Sequence, residues 1–433
     1  MNSYSNYQKV DSYWYDQIPS SWTKTKNKFL FMQKKFIVGK EWDKFVLLTM
    51  GKSGVKPRDV DAGGKFPESF ETYQKVNPNQ IVFCLFDIDE TPRTVGLSKD
   101  KGMITSAYDV FSLNKGQDPQ FWTYFYQVID DHKGLRPYYT GLRKVVRNNT
   151  FMGIEVFAPP IEEQNLISRY LEKETRKIDN LIKKIEKKIQ LLKEQKTALI
   201  NQYVTKGVEQ NVSMKDSGIE WIGKIPKHWE VKKLRYLGFL SNGISKGSEF
   251  FKSGEPFLTY SDVYKNYSLT SPSGVCLSNE KDWDTYSVKY GDIFFTRTSE
   301  TNDDIGISSV CLKTIDKCCF SGFLIRFRPF EKILDPEYSK YFFRSSIPVI
   351  HFSKEMNKVT RASLSQQLLK SSPVLIPPQH EQKVILKNLT FKLENLEKIS
   401  FLNQTKVDRL KEYRQSLISS VVTGKIKITE DMI

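Results

Sequence analysis

Isoleucine and leucine recur every seven residues through one stretch of the chain, at Leu171, Ile178, Ile185, Leu192 and Leu199, with Ile182 and Ile189 at the second seam position. Heptads unbroken over that length predict a long helix with one apolar stripe, built to lie against another helix. Pro160 suits the first helical turn, where its missing N–H has no intrahelical partner anyway. Glu162 and Glu163 complement the positive end of the helix dipole. Gly207 falls where a left-handed terminating residue would sit. From Glu162 to Val204 such a helix would run roughly 60–65 Å at 1.5 Å per residue. A second stripe, Leu389, Leu396, Leu410 and Leu417, has Asn403 at the remaining heptad position and ends before Gly424. A polar seam residue either sets register between partner helices or is simply satisfied at the surface. Elsewhere the period shortens. Runs such as QIVFCLF (80–86) and GDIFFTR (291–297) read as strands between Gly, Pro, Asn, Asp and Ser turns, and QFWTYFYQVI (120–129) reads as a helix. A mixed α+β domain is predicted for each globular part, about 10–157 and 217–375.

The two stripes open alike. APPIEEQNLISRYL (158–171) returns as IPPQHEQKVILKNL (376–389), so Pro159, Pro160, Glu163, Gln164, Ile167 and Leu171 recur 218 positions later. The offset holds without a gap through Leu192-Lys193-Glu194, Leu199-Ile200 and Val204-Thr205, which return as Leu410-Lys411-Glu412, Leu417-Ile418 and Val422-Thr423. Upstream, Ile18-Pro19-Ser20-Ser21-Trp22 is matched by Ile225-Pro226-Lys227-His228-Trp229 at an offset of 207. Val76 to Phe83 is matched by Val288 to Phe295 at 212, and Asp118-Pro119 by Asp335-Pro336 at 217. The chain therefore reads as two copies of one unit, each a variable globular part followed by a segment of fixed length. A helix this apolar on one face needs a partner, and the two are expected to pack on each other antiparallel.

At 433 residues the chain is too long for one core. With 39% hydrophobic residues it can bury more than one. Its five cysteines form no Cys-x-x-Cys and its four histidines lack metal-ligand spacing, so free thiols in a reducing cytosol are expected and no zinc site is readable. There is no apolar run of 18 residues, and the polar start MNSYSNYQKVDSY does not read as a signal peptide. Catalytic patterns are missing too. No G-x-x-x-x-G-K-[ST], no Asn/Asp-Pro-Pro-Tyr and no G-x-G-x-x-G after a strand occurs. Glu194-Gln195-Lys196 and Glu381-Gln382-Lys383 have a nuclease-like spacing, but both fall in predicted helices without a placed aspartate, and a solvated helix face explains them.

A formal charge of +16 points to a polyanion, nucleic acid before membrane. Each helical segment carries a surplus of four positive charges, an ordinary balance for an exposed coiled coil, and half the excess is left to the globular parts. Their loops combine cations with amides and hydroxyls that can reach phosphates and base edges. The candidate DNA-contacting residues are Lys52, Lys56, Arg58, Lys65, Arg93, Lys101 and Arg143 in the first half, and Lys246, Ser248, Arg297, Ser299, Asn302 and Arg361 in the second.

Ile-Pro-x-x-Trp heading each half, Gly291-Asp292-Ile293, the duplicated Pro-Pro-x-x-Glu-Gln, and above all SGIEWIGKIPKHWEVKKL (217–234) resemble the specificity subunits of type I restriction-modification systems. The resemblance covers nearly the whole chain. In the first half Trp14-Tyr15-Asp16 stands for Trp-Ile-Gly, and Asn79-Gln80 for Gly-Asp. The resemblance implies an α+β chain with a pseudo-twofold internal repeat. Two mixed target recognition domains (1–158, and 208–376 with its linker) would alternate with two spacer helices (159–207, and 377–433 with the tail) paired as an antiparallel coiled coil. It further implies a non-catalytic subunit that binds double-stranded DNA, two methyltransferase subunits and the restriction/translocase subunits. S-adenosylmethionine, ATP and Mg²⁺ would belong to those partners and none to this chain. The implied setting is the bacterial or archaeal cytoplasm, at the nucleoid.

Overall fold

The computed structural model describes residues 2–51, 54–58, 69–209, 211–298, 305–330, 333–356 and 363–433. It falls into two compact units, Met1–Glu186 with Thr405–Ile433, and Lys187–Gln404. The division cuts both long helices, so each unit joins one globular part to a piece of each helix. In the first unit a four-stranded antiparallel sheet has the order Phe31–Gln33, Asp109–Leu113, Ile81–Phe83, Val95–Leu97. Phe31 packs edge to face against Trp122 and Tyr126 of the helix Pro119–Asp131, Phe83 and Phe151 pack against Tyr126, and Phe111 packs against those three phenylalanines. In the second unit a five-stranded sheet has the order Gly238–Asn242, Leu324–Pro329, Ile293–Thr296, Ser308–Cys311, Ser268–Leu269, with only the last pair parallel. The runs QIVFCLF and GDIFFTR thus supply central strands, and QFWTYFYQVI the buried helix.

The long helices span Ile161–Lys206 and Gln379–Val422, 46 and 44 residues. Leu171, Ile178, Ile185, Leu389 and Leu417 are buried, while Leu192, Leu199, Leu396 and Leu410 are half-buried. Leu393 and Val407, between the heptad leucines of the second helix, are buried as well. Asn403 is half-buried and donates to the Ile399 carbonyl of its own helix at 2.8 Å. Within the first unit Arg414 meets Asp179 at 2.9 Å and Lys411 meets Glu186 at 3.4 Å, so partner numbers fall on one helix as they rise on the other. Within the second unit Lys196 meets Glu397 at 2.7 Å.

The duplicated opening does more than start a helix. In the first unit the Trp22 indole N–H donates to Glu163 at 3.1 Å, and the Tyr4 hydroxyl donates to the same carboxylate. In the second unit Trp229 donates to Glu381 at 3.0 Å, and His228 lies 2.7 Å from it. The next residue clamps a different element. Gln164 donates to the Pro159 carbonyl at 2.9 Å and accepts from the Asp118 N–H at 3.0 Å; Gln382 donates to Pro377 at 2.9 Å and accepts from Asp335 at 2.8 Å. Asp118 and Asp335 each cap the helix that follows. Ile-Pro-x-x-Trp, Asp-Pro and Pro-Pro-x-x-Glu-Gln therefore form one contact set, which fastens a globular part to a helix start. Gly207 and Gly424 close the helices at φ +72° and +73°, and a Cβ on Gly207 would stand 2.8 Å from the Glu381 carboxylate.

The departure at Asn79-Gln80 has a local explanation. Gly291 sits at φ +87°, and Asn79 takes the same left-handed region at +64°, which asparagine tolerates best after glycine. Asp292 accepts from the Lys289 N–H at 2.8 Å and both nitrogens of Arg328 at 2.6 Å. Gln80 accepts from the Asn77 N–H at 2.7 Å and donates to Ser112 at 2.9 Å. A neutral amide–hydroxyl pair replaces an ion pair around the same turn.

Candidate nucleic-acid interface

In the second unit several segments converge where the sheet strands end. The Arg297 N–H donates to the Phe323 carbonyl at 2.9 Å, and the Leu364 N–H to the Arg297 carbonyl at 2.7 Å. Thr298 bridges to Ser363, and the Tyr260 hydroxyl donates to the Thr298 carbonyl at 2.9 Å. Gln366 donates to Asn242 at 2.9 Å. The side chains of Arg297 and Phe323 are exposed. One pole thus offers a guanidinium, amides, hydroxyls and an aromatic face on a framework fixed by main-chain bonds. That set suits base-edge hydrogen bonding and stacking.

The first unit builds the corresponding pole. The Val146 N–H donates to Leu85 at 2.8 Å, as Leu364 does to Arg297, and Asp87 N–H donates to Arg143 at 2.9 Å. Arg143 lies over the Phe86 ring at 5.3 Å and bonds Asp87 at 3.1 Å, while Phe86 stacks on Tyr108. Lys144 is tied to Asp89 and Glu90, and those two carboxylates raise its pKa to about 12.

The predicted contact residues separate into groups. Lys56, Arg58, Lys101, Ser248 and Arg297 are exposed, and Arg143 keeps 73% of its side chain accessible. Arg93 is half-buried against Asp130 and Asp131, bracing the helix Pro119–Asp131. Lys246 is pinned between Asp282 and the Leu277 carbonyl, each at 2.7 Å, and the carboxylate holds its ammonium above the ordinary range. Lys52, Lys65, Ser299, Asn302 and Arg361 lie outside the described residues. Asn242, Gln366, Tyr260 and Phe323 were not among the predicted contacts. For Asn242 and Phe323 the available signal was a small-residue setting, Ser-Asn-Gly at 241–243 and Ser-Gly-Phe at 321–323.

Among the described residues no group of His, Cys, Asp and Glu could hold a metal ion, and no helix is long and apolar enough to cross a membrane. The cysteines are free and buried; burial pushes the Cys311 and Cys318 thiols up, to about 11 and about 12.

Residues 226–411 match the family described as type I restriction modification DNA specificity domain. Its curated relatives are named as type I restriction enzyme specificity subunits. The MjaVIII specificity subunit of Methanocaldococcus jannaschii is 25% identical to it over 76% of this chain and 75% of its own length. The putative MjaX subunit of the same organism is 23% identical over 64% of this chain and 60% of its own, so the match spans three fifths of that relative. The EcoKI specificity subunit of Escherichia coli K12 is 24% identical over 65% and 60%. Among solved structures, a chain from work on complex assembly and conformational transition of the type I restriction-modification system superposes with a TM-score of 0.70. It covers 94% of this chain and 99% of its own at 14% identity. The HsdS subunit of Thermoanaerobacter tengcongensis gives 0.52, with 95% and 99% covered at the same identity. The chain shares their mixed helix-and-strand fold with its long helices.

Proposed function

We propose that this chain is a specificity subunit that supplies sequence recognition, and no chemistry, to a type I restriction-modification complex. Each globular part is a target recognition domain that reads one half of a split, asymmetric DNA sequence. The two long helices pair as an antiparallel coiled coil and act as the spacer; 46 residues at 1.5 Å each amount to about 69 Å. Phe391, Phe401 and Leu402 stand exposed on the second helix, an apolar surface suited to docking a partner helix. Two methyltransferase subunits bind the helices, and restriction/translocase subunits join that core. S-adenosylmethionine, ATP and Mg²⁺ are used by those partners, in a bacterial or archaeal cytoplasm at the nucleoid.

The observation that carries this reading is the pairing of constancy with difference. The same clamp and the same strand-end bond recur in each unit, around loops whose side chains differ: Phe86 and Arg143 in one, Arg297 and Gln366 in the other. A framework kept twice under unlike surfaces suits two readers of unlike half-sequences. The test is reconstitution. The purified chain with DNA, labelled S-adenosylmethionine and Mg²⁺ should modify nothing; with the methyltransferase subunits added, label should enter one split target. Modification or cleavage by the chain alone would overturn the assignment.

A further inference from the structure

Leu142 is fully exposed, at 102% of its reference area, yet the turn that carries it is tightly held. Thr140 and Val145 exchange main-chain bonds at 3.0 and 3.2 Å, and the Lys144 N–H closes on the Gly141 carbonyl at 3.1 Å. Gly141 and Lys144 occupy left-handed conformations, φ +75° and +46°. Arg143, the next residue, is stacked on Phe86 and oriented by Asp87. An apolar side chain on a rigid tip presents its methyls to whatever meets it, whereas a loose loop could fold such a chain away.

The location narrows the partner. The bond from Val146 to Leu85 fastens this turn to a strand end, as the bond from Leu364 to Arg297 does in the second unit. At the 218-residue offset, Leu142-Arg143 corresponds in sequence to Thr360-Arg361: the arginine is kept and the residue before it again ends in a methyl. Those two residues lie outside the described set. A protein-docking surface would be a contiguous apolar patch. Here the flanking residues are Thr140, Gly141, Arg143 and Lys144, a polar setting in which Asp89 and Glu90 neutralise Lys144 while Arg143, beside Asp87, keeps 73% of its side chain accessible to a base edge or phosphate.

We propose that Leu142 is a specificity-determining residue of the first recognition domain. Its methyls contact a base edge in the major groove, in the manner of apolar contacts to the thymine C5-methyl, beside the guanidinium of Arg143. This rests on the specificity-subunit reading. The test uses the chain assembled with its methyltransferase subunits and a DNA library randomised in both half-sites. Leu142→Ala should reduce discrimination at one base pair of one half-site by about tenfold. It should leave the other half-site, the assembly and the melting temperature as they were. Arg143→Ala should relax a neighbouring position of the same half-site. An unchanged Leu142→Ala profile would overturn the proposal, as would impaired assembly with sequence preference intact, which would assign the tip to a protein partner. A wild-type complex that selects no split target would bring down the specificity-subunit reading and this proposal together.

Discussion

Replacing Glu381 by Ala removes the acceptor that fastens the second globular part to its helix. Trp229 is fully buried, and its indole N–H has Glu381 as acceptor at 3.0 Å. Leaving a buried donor unsatisfied costs about 1–3 kcal/mol. For a unit of this size each kcal/mol lowers the melting temperature by about 2–4 °C, so a drop of about 4–8 °C is expected near the middle of that range. The conservative variant separates hydrogen bonding from charge. Glu381→Gln keeps a side-chain oxygen facing Trp229 and should lose less than half as much. Glu163→Ala should act the same way in the first unit, through Trp22 and Tyr4. Scanning calorimetry of the four proteins, wild type included, is sufficient. If Glu381→Ala melts with the wild type, or if Ala and Gln fall equally, the clamp does not hold as described.

Two further outcomes follow from the backbone. Gly291→Ala places a Cβ on a left-handed residue and should cost about 1 kcal/mol or more in urea denaturation, whereas Asn79→Gly, at the matching turn, should change stability little. Removing one heptad from each long helix keeps the seam in phase and shortens the spacer by about 10 Å, about three base pairs. Modification mapping should then show the same half-sequences with a shorter gap between them; altered half-sequences with the gap unchanged would reject the spacer role.

Much of the architecture was legible because its signals are local. Heptad leucines mark the helices, and a gapless offset marks the duplicated segments. Leu393 and Val407 escaped because the second helix interrupts its stripe with Ser400, Asn403 and Arg414, which obscures the intermediate seam positions. The clamp was invisible for a different reason. Glu163 looks like a charge placed for the helix dipole, and its partner Trp22 lies 141 residues away. Arg93 and Lys246 looked like free loop cations, but carboxylates from distant segments hold them in place. Leu142 had no sequence signal stronger than the glycine before it, since an exposed leucine and a core leucine are written alike.

The central claim is that two unlike readers on one spacer select a single split DNA sequence. Mapping methylated bases across the host genome, with and without this gene, tests it most directly. The account predicts one bipartite motif, two different half-sequences around a gap of fixed length, that vanishes when the gene is removed. A methylation pattern unchanged by its loss, or a lost motif that is continuous, would contradict it.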